Sequence, residues 1–145
     1  MRITTRGRYA LRASLALAKL ASHEAPISIS TLSAEENISS VFLEQIFFRL
    51  KKAGIVTSIR GPGGGFNFAQ PLNKITVKQI LEAAGEDLDI IFCDKRTDNC
   101  ERVGGCISHH VWVEANELVK NYFADITLSS ILEDTIQSGE LRIAD

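Results

Sequence analysis

Apolar residues recur at helical spacing through most of the chain, interrupted once by two short β-rich runs around glycines. Ala10, Leu11, Ser14, Leu15, Leu17 and Ala18 form a mostly apolar stripe that predicts a first helix from about Arg6 to Ser22, with Thr4 or Thr5 placed to cap it. His23 to Pro26 breaks the pattern. Ser28 then caps a short helix over 29–36, with Ile29 and Leu32 facing inward, and Asn37 suits the left-handed conformation of a tight turn. Ser39 offers a new cap at once. Leu43, Ile46, Phe47 and Leu50 mark the next helix, over 40–53, and Gly54 stands in its stop position.

The runs 55–60 and 66–69 flank Gly61, Pro62, Gly63, Gly64 and Gly65, which predicts a hairpin. A helix, a turn, a helix and a hairpin in that order make a winged helix-turn-helix. A phosphate-binding loop is excluded, because no Gly-Lys-Ser/Thr and no helix start follow the glycines.

Pro71 to Lys74 reads as a turn, and Thr76 with Gln79 as a capping box opening a helix through Ala84, with Val77, Ile80 and Leu81 buried and Gly85 as its stop. An acidic linker follows at Glu86, Asp87 and Asp89. Farther on, Ile107, Val111, Ala115, Leu118, Val119, Tyr122, Phe123 and Ile126 predict a long helix whose continuous apolar face needs a partner, most simply a second copy. Thr127 caps a last short helix. The fold class is therefore mainly α with a small β-wing: a winged helix-turn-helix domain over 1–85, a metal-ligand loop over 86–109, a dimerisation helix and short final helix over 107–136, and a disordered tail over 137–145.

Charge sharpens this division. Residues 1–60 carry nine Lys or Arg against four Asp or Glu, and residues 61–145 carry seven against fourteen, so a net of -2 hides a basic half suited to phosphate and an acidic half that is not. The Ala- and Leu-rich start is broken by Arg12 and Lys19, and no run reaches the roughly 18 residues of a membrane span. A cytoplasmic protein with reduced thiols is expected.

Two groups of residues carry candidate chemistry. On the helix over 40–53, Ser40, Glu44, Gln45, Arg49 and Lys51 lie on the face away from the apolar stripe, with Val41, Phe48 and Lys52 beside them, as on a major-groove reader. Gly61, Gly63 and Gly64 let a wing tip approach a DNA backbone, Arg60 can enter a narrow A·T-rich minor groove, and Arg2 and Arg6 are placed for phosphates.

The second group is Cys93, Cys100, Cys106 and His109, all three cysteines and one of three histidines in seventeen positions. Thiolates and imidazole favour zinc, copper(I) or an iron-sulfur cluster over calcium or magnesium. His110 competes with His109, and His23 reads as a surface histidine. A disulfide would leave an odd thiol, and nothing supplies the base and pocket of a catalytic cysteine. No small-molecule substrate is implied, and an enzyme is not expected.

Three segments carry a family likeness: Arg2 to Ala13, Phe42 to Phe66, and Cys106 to Trp112 with Ile126 to Leu132. The chain resembles the winged-helix iron-sulfur regulators typified by IscR, with NsrR, RirA and CymR as relatives. The resemblance implies a homodimer bound to a double-stranded DNA operator, acting as a repressor of cluster-biogenesis or iron- and redox-stress genes. It implies a 2Fe-2S cluster on Cys93, Cys100, Cys106 and His109, and DNA contacts at Glu44, Gln45 and Arg60. A 4Fe-4S cluster and a structural zinc are the alternatives. The first cysteine gap holds six residues where the resemblance leads one to expect five, and Arg8 lies near the position from which a 4Fe-4S relative takes an aspartate ligand.

Overall fold

The computed structural model describes residues 1–21, 25–91, 93, 100–102 and 104–139. The surface reading of His23, the helical reading of Ser22 and the disorder expected over 140–145 fall outside them.

Helix α1 runs Thr5–Leu20 and buries Ala10, Ala13, Ala16 and Leu17. Thr4 caps it, but its first turn holds no acidic residue to complement the dipole. Glu86, more than eighty positions away, supplies that charge. Its carboxylate accepts from the Thr4 amide (3.1 Å), the Thr4 hydroxyl and the Gly7 amide (3.1 Å). Only glycine leaves room for this approach, because a Cβ on Gly7 would lie 2.6 Å from Glu86 Cγ. The acidic stretch predicted as a linker is thus pinned to the domain, with Glu86 buried and Leu88 2% exposed.

Ser28 caps α2 (Ile29–Glu36), which ends in left-handed Asn37 at φ 52°, and Ser39 caps α3 (Ser40–Lys52). Leu43, Ile46, Phe47 and Leu50 of α3 are 0% exposed, and burial of each such side chain contributes about 1.5–3 kcal/mol. Strands β1 (Val56–Ile59) and β2 (Gly65–Phe68) pair antiparallel, Val56 opposite Phe68 and Ile59 opposite Gly65. Ile27 bonds Phe66 through both backbone groups (3.0 and 2.8 Å), so the segment ahead of α2 borders the wing. Gly65 is needed there, because a Cβ would meet the Ile27 carbonyl oxygen at 2.3 Å.

A 3-10 turn (Leu72–Lys74) leads to α4 (Val77–Ala83), opened by the Thr76–Gln79 capping box. The long helix α5 spans His109–Asp125, shorter than the predicted 107–126 at both ends. Ile107 precedes it and is 90% exposed. Ile126 leaves it because its carbonyl accepts from Val77 N (2.9 Å), while Leu128 N bonds Ile75 O (3.0 Å) and returns the chain to α4. Helix α6 (Leu128–Gln137) begins with a Thr127–Ser130 capping box and takes in Gln137, which the sequence pattern placed in the tail.

Two core clusters result. The larger joins α1, α2, α3 and the wing; the smaller joins Val77, Leu81 and Leu88 to Phe123, Ile126 and Ile131. No residue of α5 is buried, and Val111, Leu118 and Tyr122 on its apolar stripe are exposed.

Replacing Gly7 with alanine is expected to destabilise the protein by about 1–3 kcal/mol in denaturant unfolding, since the added methyl displaces the Glu86 carboxylate and the helix-propensity gain is smaller. Stability at or above wild type would show that the carboxylate has no structural role. Burial by itself would raise the Glu86 carboxyl, but hydrogen bonds from the Thr4 hydroxyl, the Thr4 and Gly7 amides and nearby Arg6 outweigh it and hold the group below its ordinary value of 4.5. A lowered folded value means that this carboxylate stabilises the fold fully above pH 4.5, and that the contribution is lost as pH falls below that value. The stability gap between wild type and Glu86→Gln is therefore expected to shrink in acid unfolding; a gap constant with pH would refute the assignment.

Candidate nucleic-acid interface and metal-ligand loop

Helix spacing puts Val41, Glu44, Gln45 and Phe48 on one face of α3, opposite the buried stripe. With Arg49, Lys52 and Arg6 they line one shallow open concavity. Ser40, Glu44, Gln45 and Arg49 are all exposed, as is Arg2 at the N-terminus. Arg6 is half-buried and donates through Nε to the Ala84 carbonyl (2.5 Å), so part of its guanidinium holds the end of α4 in place. Lys51 Nζ donates to Ser58 Oγ (2.6 Å), which ties the end of α3 to β1. Arg60 is exposed at the base of the wing. Its tip turns on Gly61 and Gly63 at φ 96° and 74°, a region few other residues enter, and a Cβ on Gly64 would lie 2.3 Å from the Ile59 carbonyl oxygen.

The approach to the cysteine stretch is bonded to α5, and its far end runs directly into that helix. Ile90 N donates to Asn116 Oδ1 (2.7 Å), and Asn116 Nδ2 donates to Ile91 O (2.9 Å), two residues before Cys93. Asp89 pairs with Lys120 at 2.5 Å. At the far end the Cys106 carbonyl accepts from His109 N (3.2 Å), the first residue of α5. Asn116 and Lys120 went unnoticed in the sequence; their spacing of four along a helix was the only signal.

Cys93, Cys100 and Cys106 are free thiols, Cys100 the most open. The Ser108 hydroxyl (3.3 Å), the amides of Ser108 and His109, and Arg102 hold the Cys106 thiol below its usual range, which favours the thiolate a soft metal requires. His110 shares an open cleft with Cys106, Glu101 and Arg102, while His109 is half-buried beside it. Among the described residues no three His, Cys, Asp or Glu side chains converge as a metal-holding group; positions 94–99, between the first two cysteines, are not among them.

An exposed reading helix set by a helix-turn-helix, with a glycine-tipped two-stranded wing beside it, defines a winged-helix transcription regulator. Residues 3–134 match the Rrf2 family, described as iron-dependent transcriptional regulators, and the chain belongs to that family. It is 41% identical over 143 residues to Neisseria meningitidis NMA1593, whose name places it among helix-turn-helix regulators, covering 99% of this chain and 95% of that protein. It is 37% identical over 134 residues to the regulator IscR of Photobacterium profundum, covering 92% and 77% respectively. Its fold is similar to that of CymR, the global cysteine regulator of B. subtilis, with a TM-score of 0.75 and 27% identity, covering 93% of this chain and 98% of that one. These relatives are named as regulators rather than enzymes, and no described helix is long and apolar enough to cross a membrane.

Arg60→Ala is expected to weaken binding to a selected duplex by about 1–3 kcal/mol in a fluorescence-anisotropy titration. Unchanged affinity would take the wing out of the interface.

Proposed function

We propose that this chain is an iron-sulfur-sensing repressor that binds a palindromic operator as a homodimer. Cys93, Cys100, Cys106 and His109 would hold the cluster, in the 2Fe-2S form. Three thiolates and one imidazole supply the four ligands such a cluster needs, two for each iron. The observation that carries this reading is that the approach to Cys93 is fastened to α5 at Asn116 and to α1 through Glu86, while Cys106 and His109 stand at the start of α5 itself. When bound, an iron-sulfur centre with a nitrogen ligand supplies a redox-active and removable anchor.

The residues of the chain do the rest. The exposed stripe of Val111, Leu118 and Tyr122 provides an apolar face for the second copy. Glu86 and Arg6 fix the reading head to the segment entering the cysteine stretch. Two heads must meet half-sites about 34 Å apart, so their relative placement at α5 sets operator affinity.

The test is an absorption spectrum of protein isolated without air, with iron and sulfide counts, followed by operator titrations of loaded and metal-free protein. Visible charge-transfer bands that vanish in Cys93→Ala, Cys100→Ala and Cys106→Ala, with dimers still folded by circular dichroism and sedimentation, are expected. Colourless protein holding zinc, or variants that unfold, would replace the cluster with a structural metal. Equal affinity of the loaded and metal-free forms for every duplex would remove the sensing role.

A further inference from the structure

Two side chains on the outward face of α3 are apolar where the helix has no further core to fill. Val41 is 67% exposed and Phe48 69%, although Leu43, Ile46, Phe47 and Leu50 of the same helix are all 0% exposed. Phe42 is also accounted for, its ring packed edge-on against Tyr9 at 5.8 Å. Val41 and Phe48 stand seven residues apart with Glu44 and Gln45 between them, so apolar, polar, polar and apolar groups follow one another along a single face. Arg6, Arg49 and Lys52 complete the concavity, giving a strip with apolar ends and cations beside it.

That composition fits the floor and walls of a major groove. The only apolar group a base presents there is the C5 methyl of thymine, and valine or phenylalanine against it removes methyl surface from water. A protein partner would be met by an apolar patch without a need for the surrounding cations; DNA supplies phosphates for them.

We propose that Val41 and Phe48 are specificity residues that read two thymine methyls in each half-site, one on either side of the base pairs facing Glu44 and Gln45. The inference rests on the operator-binding reading above. Seven helical residues rise about 10.5 Å, so the two methyls are read about that distance apart along the groove, at two separate base pairs of the half-site. Arg60, which favours narrow A·T-rich minor groove, asks for the same kind of flanking sequence.

The experiment selects duplexes from a random pool with the full-length protein, then replaces each thymine of the selected half-site with deoxyuridine, which deletes the methyl and keeps the base pairing. Wild-type affinity is expected to fall about three- to fivefold, the effect of one buried methyl, at two separate positions of the half-site. Val41→Ala abolishes the dependence at one position and Phe48→Ala at the other, with thermal midpoints unchanged because both side chains are exposed. Absence of any methyl effect in the wild-type protein overturns the proposal without recourse to a variant. It is overturned equally if both variants keep the full penalty, or if Phe48→Ala alters the oligomer in sedimentation, which would assign the patch to a protein contact. Selection of no duplex at all would remove the operator-binding reading itself, a result distinct from selection without methyl dependence.

Discussion

The placement of the Glu86 carboxylate over the first turn of α1 is the contact on which the relation between the two parts of the molecule depends. Helix α1 begins with Arg6 and Arg8 and has no acid of its own there, so its free amides and positive dipole end need an anion from elsewhere. Glu86 provides it from the start of the segment that leads to the cysteines, and Gly7 provides the space. Arg6 adds a second fastening by holding the Ala84 carbonyl. The reading head and the cysteine segment are consequently joined by directed bonds rather than by a tether.

The same segment is bonded on its other side to α5. Asn116 satisfies one backbone donor and one acceptor at Ile90 and Ile91, and Lys120 pairs with Asp89. Between Glu86 and Ile91, then, the chain touches α1 in one direction and the long helix in the other. A segment held so closely has little slack. The long helix itself keeps Val111, Leu118 and Tyr122 exposed on its apolar stripe.

Much of the reading head was legible in the residues because its signals are local. Serine caps before α2 and α3, left-handed Asn37, the glycine after α3 and the capping box before α4 each act within a few positions, and each predicted element forms where its cap stands. The wing was legible for the same reason, since its glycines permit backbone angles and close contacts that side chains prevent. The ends of α5 were misjudged because periodicity continues through Ile107 and Ile126 while the backbone does not. Ile126 is drawn out of the helix by bonds to Val77, a partner that helical spacing cannot reveal.

Sequence alone determined the order and type of the elements, the basic and acidic halves, the outward face of α3 and the soft-ligand character of the cysteine stretch, all properties of residues near one another along the chain. Tertiary structure decided which distant groups complete one another: Glu86 with α1, Asn116 with the approach to Cys93, Lys51 with the wing, and the exposure of Val41 and Phe48 beside a filled core. The division has a physical cause. Backbone preference and amphipathic period are set within a turn or two of helix, whereas a buried carboxylate or a shared core exists only once remote segments have excluded water between them.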